Sequence, residues 1–263
     1  MEPSESNIIN STLDMLSTTT LPVMESFYTI QGEGFYQGRA AYFLRLGGCD
    51  VGCTWCDVKE SWDADAHPLL TIESIIIKAL QESGTADRTA AVLNQDTTIQ
   101  YAVEGISTGS SQLLCDSWKQ SITHRPQVQV RPLIVVTGGE PLLHNLDELT
   151  HQLHLAGFET NIETSGSSPL SGDWDWICLS PKKFKSPLKG ILAVAHELKV
   201  VIFNKHDFEW AEQYAALVSP YCKLYLQPEW SKAAEVTPLI INYIKAHPQW
   251  ELSLQIHKYI NIP

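Results

Sequence analysis

Apolar residues from position 132 onward fall alternately into short runs and helical repeats. The segment PLIVVT at 132–137 is typical of a buried parallel strand, and a helix is predicted from Asn145 to a C-cap near Gly157. Helices are also predicted near 207–218 and 232–247, and further strands at 158–164, 176–180, 197–203, 223–227 and 252–256. This alternation implies right-handed crossovers and a parallel sheet, either open or curled into a partial barrel.

The preceding part of the chain adds a strand and a helix before a long polar segment. Residues 41–46 form an aromatic-rich run that predicts a strand, interrupted by Arg45, and Thr71 is a predicted N-cap for a helix with regularly spaced apolar residues. Residues 1–21 are interpreted as a mobile tail. Residues 22–263 are interpreted as one domain that carries an insertion of uncertain structure at about 84–131.

Composition and charge exclude several classes of function. A chain of 263 residues with a formal net charge of −12 repels phosphate backbones, which disfavours a nucleic-acid-binding protein. No apolar run reaches the length of about 18 residues that a membrane-spanning helix needs. The N-terminus lacks the basic and apolar regions of a secretory signal, so we expect a cytoplasmic protein with reduced thiols.

Three of the six cysteines lie close together in the segment GGCDVGCTWCD, at Cys49, Cys53 and Cys56. Thiolates at this spacing on a glycine-containing loop can converge on one inorganic centre. A [4Fe–4S] cluster held by three cysteines would leave one iron open to a small molecule. A structural zinc would need a fourth ligand, from another cysteine or a histidine. Three unliganded thiols are the remaining alternative.

A second glycine-containing segment, TGGEP, follows the predicted strand at 132–137. Its adjacent glycines, Gly138 and Gly139, can expose backbone N–H and C=O groups to a close ligand. An ordinary turn in which Pro141 opens the next helix would have the same sequence. In parallel α/β folds the chemistry lies at the carboxyl ends of the strands, where this segment and the cysteine segment are both predicted to lie.

The spacing C-x3-C-x-aromatic-C, with Trp55 as the aromatic residue, resembles the signature loop of the radical S-adenosylmethionine (SAM) enzymes. The resemblance implies a partial (β/α) barrel with parallel strands and outer helices. It also implies a [4Fe–4S] cluster on the three catalytic cysteines, whose open iron binds SAM and whose reduction cleaves SAM to a 5′-deoxyadenosyl radical. Trp55 would lie against the adenine, and Gly138, Gly139 and Glu140 would bind the SAM amino group.

Further motifs narrow the resemblance to the 7-carboxy-7-deazaguanine synthase family: SFYTIQGEG (26–34), FLRLGGC (43–49), CDVKESW (56–62), IETSG (162–166), LSPK (179–182), ELKVV (197–201) and HKYINIP (257–263). The resemblance implies conversion of 6-carboxy-5,6,7,8-tetrahydropterin to 7-carboxy-7-deazaguanine and ammonia, in the biosynthesis of queuosine and related deazapurines. SAM is regenerated in that reaction. The family also implies Mg²⁺, a homodimer and a flavodoxin- or ferredoxin-type electron donor.

The resemblance implies substrate contacts from Ile30, Gln31, Gly32, Thr137, His257 and Pro263, and the chemistry of Glu33 and Arg45 adds these two residues. The resemblance assigns further SAM contacts to these: Ser165, Ser180, Pro181 and Lys182. Arg45 needs an anion because an unpaired charge in an apolar strand is costly, and either the substrate carboxylate or a protein carboxylate would serve. Glu33 would accept from the amino–imino edge of the pterin. Without a role in binding, QGEG would be an ordinary polar turn, and Lys182 would belong to a solvated basic face.

Two positions in the matched motifs carry specific expectations. Val58 stands where the family often has a Thr or Ser that can ligate Mg²⁺, and it offers only a backbone carbonyl, so we expect weak magnesium dependence. The resemblance also implies that the C-terminal residues, through the carboxylate of Pro263, enter the site. A radical SAM activase that installs a glycyl radical on a partner protein and a zinc-stabilised non-catalytic module stay open as alternatives.

Overall fold

The structure is a computed structural model that describes residues 19–54, 56, 58–84 and 130–263. Its strands are β1 (Thr20–Ile30), β2 (Ala40–Leu46), β3 (Leu69–Thr71), β4 (Leu133–Gly138), β5 (Glu159–Thr164), β6 (Trp176–Leu179), β7 (Glu197–Ile202), β8 (Lys223–Pro228) and β9 (Trp250–Leu252). They form one sheet in the order β3-β1-β2-β4-β5-β6-β7-β8-β9. The first strand is antiparallel to both of its neighbours, whereas all pairings from β2 through β9 are parallel.

Five of the helices in the described ranges lie between strands in the chain, and the sixth follows β9. They are α1 (Ile72–Glu82), α2 (Asp147–Leu155), α3 (Lys189–Val194), α4 (Asp207–Ala215), α5 (Ala233–Ala246) and α6 (Ile256–Ile260). Short 3-10 turns lie at Lys59–Trp62, Ala64–Ala66, Pro141–Leu143 and Trp230–Lys232. Thr71 caps α1 as predicted, since its hydroxyl accepts from the Ser74 N–H at 3.2 Å. No helix in the described part of the chain is long and apolar enough to cross a membrane.

The sheet has an apolar face and a polar face because successive strand residues point to opposite sides. The outer face packs side chains such as Leu44, Ile134 and Leu198 against the helices in one large core. On the inner face, a small cluster around Phe43 and Val135 includes no helix residue. The confirmed fold is therefore α/β, with a mostly parallel sheet and helices on its outer side.

Two boundaries predicted from the sequence are wrong. The tail does not extend to residue 21, because Thr20 pairs with Thr71 and Leu21 is buried. The strand predicted at 252–256 is also wrong, since β9 ends at Leu252 and α6 begins at Ile256. Ser253 explains the second error, because its buried hydroxyl donates to Gln227 and accepts from the Gly34 N–H, which draws the chain towards the inner face. Residues 1–18 and 85–129 lie outside the described ranges.

Candidate active site

A cavity of about 350 Å³ lies on the inner face at the carboxyl ends of the parallel strands. It brings together most of the residues predicted from the sequence: Ile30, Gln31, Gly32, Glu33, Arg45, Cys49, Cys53, Cys56, Val58, Thr137, Gly138, Gly139, Glu140, Ser165, Ser180, Lys182, His257 and Pro263. Pro181 is buried but is not among the lining residues. Trp55 lies outside the described residues.

The cysteine loop rests directly on the TGGEP turn. The Gly139 N–H donates to the Leu46 carbonyl at 2.9 Å, and the Glu140 N–H donates to the Gly48 carbonyl at 2.8 Å. A Cβ atom at residue 139 would stand 2.1 Å from the Gly48 carbonyl oxygen, and Gly138 has a φ of +112°. These glycines are therefore required by the close approach of two backbones, a role that neither interpretation of the sequence anticipated.

The Glu140 side chain holds the residues packed beneath this turn in place. Its buried carboxylate accepts from the Leu142 N–H, the Thr164 hydroxyl, and both the N–H and the hydroxyl of Ser165. These four bonds use the acceptor positions of both carboxylate oxygens. The Glu140 side chain thus fixes the position of Ser165. Because its carboxylate is occupied, a ligand at the turn would contact backbone groups rather than this carboxylate.

The three thiols of the cysteine loop line the same cavity and are free. Burial raises the pKa of the Cys49 and Cys53 thiols, although the ammonium of Lys182 opposes this rise at Cys53. Across the described ranges, no three His, Cys, Asp or Glu side chains stand close enough to hold a metal ion. A [4Fe–4S] cluster binds each thiolate through a different iron, so its ligands stand farther apart. The described lining contains no fourth cysteine, which fits a cluster with one open iron better than a closed Cys₄ zinc site.

Lys182 differs from the lysines that follow it. Its ammonium donates to the Ser180 hydroxyl at 2.6 Å inside the cavity, and burial lowers its pKa. Lys183 and Lys185 are not among the lining residues and instead pair with the carboxylates of Asp207 and Asp50. The alternative of a solvated basic face therefore does not hold for Lys182.

A ring of hydrogen bonds occupies the inner face beside the QGEG segment. Lys199 donates to Glu33 at 2.5 Å and to Glu163 at 3.4 Å, and Gln31 donates from its amide to Glu163 at 2.9 Å. The ring closes because the Glu33 N–H donates to the Gln31 side-chain oxygen at 3.1 Å. Gln255 also donates to Glu33, at 2.8 Å. The sequence motifs predict Glu33 and Gln31 as site residues, but not Lys199, Glu163 and Gln255.

Opposing effects set the protonation of the central pair in this ring. Burial alone would raise the pKa of Glu33, but the Lys199 ammonium and the hydrogen bonds from Lys199 and Gln255 lower it to about 2. Burial would lower the pKa of Lys199, yet the carboxylates of Glu163 and Glu33 raise it well above its ordinary value. Both groups are therefore ionised at neutral pH.

Arg45 has a protein partner in the structure. Its guanidinium donates to the Glu25 carboxylate at 2.8 Å and lies 5.3 Å from the centre of the Phe27 ring. The Glu25 side chain is 44% exposed, so the pair is not sealed in the core. Arg45 also lines the cavity, which leaves its guanidinium within reach of a bound anion.

The C-terminal segment closes one side of the cavity, with Pro263 in the lining. The Ile256 N–H donates to the Gly32 carbonyl at 3.0 Å, and a Cβ atom at residue 32 would stand 2.2 Å from Nδ1 of His257. After α6, Asn261 adopts a left-handed φ of 55° and the Ile262 N–H donates to the His257 carbonyl. The last residues are thereby turned back along the site.

Two further groups in the lining bear on ligand binding. The Val58 carbonyl accepts from both the N–H and the hydroxyl of Ser61, at 3.1 and 2.6 Å. It is thus already engaged at the position where the family often places a magnesium ligand. In contrast, the buried Nε1 of Trp62, another residue of the lining, has no hydrogen-bond partner among the described residues.

Comparison with known proteins gives a consistent set of relatives. Proteins named 7-carboxy-7-deazaguanine synthase are similar over nearly all of the chain. The relative from Flavobacterium psychrophilum is 45% identical over 92% of this chain and 93% of its own length. The relatives from Synechocystis and Escherichia coli K12 are 38% and 33% identical, over 94% and 92% of this chain and 96% and 98% of their own. No protein-family model matches.

A solved structure also matches the fold. The crystal structure of QueE from Escherichia coli superposes with a TM-score of 0.64 at 27% identity, and the match covers 96% of this chain and 99% of that chain.

Proposed function

Because the chain belongs to the 7-carboxy-7-deazaguanine synthase family, we propose that it converts 6-carboxy-5,6,7,8-tetrahydropterin to 7-carboxy-7-deazaguanine and ammonia. It would act as a radical SAM lyase in the biosynthesis of queuosine and other deazapurines. One observation carries the proposal: a single cavity is lined by the cysteine loop, the TGGEP turn, the QGEG segment and the C-terminal residues. A glycyl-radical activase is not favoured, because these relatives are named as synthases.

Cys49, Cys53 and Cys56 would hold a [4Fe–4S] cluster at one end of this cavity. When bound, the cluster and SAM supply the radical that removes a hydrogen atom from C6 of the pterin. The backbone of the TGGEP turn and the side chains of Ser165 and Lys182 offer hydrogen bonds to SAM. The occupied carboxylate of Glu140 supports a positioning role beneath the turn. The free N–H of Trp62 adds one more donor in the same lining.

The other end of the cavity suits a polar bicyclic substrate. Ionised Glu33 can accept from the paired N–H donors of a pterin, because each carboxylate oxygen keeps a second acceptor position beside its present bond. Arg45 would exchange its exposed partner Glu25 for the substrate carboxylate, at small cost because exposed ion pairs are weak. Thr137, His257 and the terminal carboxylate of Pro263 complete the proposed contacts. A substrate held this way leaves little room for water around its reacting carbon.

Other features of the proposed enzyme come from the family resemblance alone. They are a cytoplasmic location, a homodimer, Mg²⁺ and an electron donor of the flavodoxin or ferredoxin type. A reducing compartment suits the free thiols of the cysteine loop. For Mg²⁺, the engaged carbonyl of Val58 supports binding through substrate and water rather than through this residue.

Anaerobic reconstitution followed by incubation with dithionite, SAM and 6-carboxytetrahydropterin tests the proposal. We expect bound iron and sulfide, and 7-carboxy-7-deazaguanine detected by mass spectrometry. A brown protein that cleaves SAM but makes no deazapurine would contradict the synthase and favour the activase. A colourless zinc protein would contradict both.

A further inference from the structure

Lys199 lies in the most heavily charged part of the cavity, yet no motif assigns it a role. Its side chain is only 4% exposed and projects from β7 between two carboxylates, Glu33 from the QGEG segment and Glu163 from β5. A buried ammonium is costly unless its partners are well placed, and here both lie within ion-pair distance. The residue therefore connects two segments that are far apart in the chain.

The geometry points to Lys199 as a positioning residue: by bridging Glu33 and Glu163, it holds the Glu33 carboxylate in place as the acceptor for the N–H donors of the heterocyclic substrate. The inference rests on the proposed function, because it concerns how that substrate is recognised. Lys199 would act through Glu33 rather than on the reacting atoms. The ring through Gln31 supports this role, because Glu163 is itself fixed by the Gln31 amide, and Gln31 accepts from the Glu33 backbone.

Removal of the ammonium would leave Glu33 buried beside a second carboxylate. Burial would then raise the pKa of Glu33, which Lys199 now holds at about 2. As the pH falls towards the raised pKa, Glu33 would take up a proton and lose its acceptor character. The affinity for the substrate should therefore fall at low pH in the variant. In the unaltered enzyme Glu33 stays ionised, so it causes no such fall.

Other titratable groups surround the Glu33–Lys199 pair and must be held constant in the comparison. They are Glu163 from β5, Cys178 from β6, Lys182 after β6, Glu197 from β7 and His257 from α6. Each of these groups, including His257, is present in every protein compared. A difference between the pH profiles is therefore assigned to the substituted residue.

The test is binding of 6-carboxytetrahydropterin to the reconstituted enzyme with SAM but without reductant, by calorimetry from about pH 5.5 to 8.5. For Lys199→Met we expect roughly 10- to 100-fold weaker binding at neutral pH, with a further loss on acidification. Lys199→Arg should restore the pH profile because it keeps the charge. Lys223→Met, which removes an exposed lysine from the adjacent strand, should bind as the unaltered enzyme does.

A double-mutant cycle separates positioning from a merely structural role. If Lys199 acts through Glu33, Glu33→Gln and the pair Glu33→Gln with Lys199→Met should bind the substrate equally weakly. The double variant has no unpaired carboxylate at residue 33. It can therefore be compared with Glu33→Gln even if Lys199→Met alone folds poorly. Additive losses, or a Lys199→Met enzyme with an unchanged pH profile, would overturn the inference. Failure of the unaltered enzyme to make product would instead count against the proposed function alone.

Discussion

The outer and inner faces of the sheet consist of the same strands but have opposite chemistry. On β7, Leu198 is fully buried in the core beneath the helices, whereas the next residue, Lys199, joins two carboxylates in the cavity. The outer face excludes water through apolar packing, whereas the inner face holds the Glu33 carboxylate by bonds from Lys199 and Gln255. Residues at alternate positions of one strand thus serve either the stability of the fold or the binding site. Mutations on the outer face should lower stability, and mutations on the inner face should lower substrate affinity.

The largest effect is expected at the cysteine loop. Cys49→Ala should abolish both iron binding after reconstitution and formation of the deazapurine, because three thiolates are the minimum for the proposed cluster. Cys222→Ala is the matched control, since Cys222 is a free cysteine buried in the outer-face core. Iron analysis and mass spectrometry measure both proteins. Retention of product by the Cys49 variant would show that the loop is not the reactive centre.

The outer face should respond to a cavity in its packing. Leu198→Ala is expected to lower the free energy of unfolding by about 2–5 kcal/mol, because it removes a fully buried side chain. The folded variant should keep its affinity for the substrate, in contrast to Lys199→Met one residue away. Urea denaturation and calorimetry give the two quantities. If Leu198→Ala lowers the substrate affinity but not the stability, the assignment of separate roles to the two faces is contradicted.

A smaller effect is expected where the chain end enters the cavity. A C-terminal extension beyond Pro263 should lower kcat/KM about tenfold or more, because it would displace a residue that lines the cavity from its proposed place beside the substrate. An extension of equal length at the N-terminus serves as the control. Steady-state product formation distinguishes the two proteins. Equal kcat/KM values for them would exclude a role for the terminal carboxylate.

The smallest effect concerns magnesium. Removal of Mg²⁺ with a chelator should change the rate by less than about twofold, because Val58 offers no side-chain oxygen and its carbonyl is engaged by Ser61. Val58→Thr places a hydroxyl at this position and should increase the dependence. Rates of the stripped and replenished enzymes give the comparison. A severalfold gain when Mg²⁺ is added to the unaltered enzyme would contradict the prediction.

The sequence predicted the parts of the molecule that depend on local pattern. Apolar runs located the parallel strands β4 to β8, and the spacing of the three cysteines located the loop that lines the cavity. The predicted N-cap at Thr71 is confirmed, because its hydroxyl accepts a hydrogen bond from within the first turn of the helix. Such signals need only neighbouring residues.

The errors arose where distant contacts decide the structure. The segment LSLQI at 252–256 alternates like a strand, but Ser253 bonds to Gly34 and Gln227 and the ladder ends. Lys199 was missed although it interrupts an apolar strand in the same way as Arg45, because its partners, Glu33 and Glu163, are remote in the chain. A charged residue inside any predicted inner strand is the signal that would have identified it.

Turnover with limiting SAM tests the proposed synthase most directly. The reconstituted enzyme, an excess of 6-carboxytetrahydropterin and a reductant would be incubated with less SAM than substrate, and both the deazapurine and 5′-deoxyadenosine would be quantified. In a synthase that regenerates SAM, 7-carboxy-7-deazaguanine should exceed the SAM supplied. Release of 5′-deoxyadenosine in step with SAM consumption, without deazapurine, would contradict the assignment.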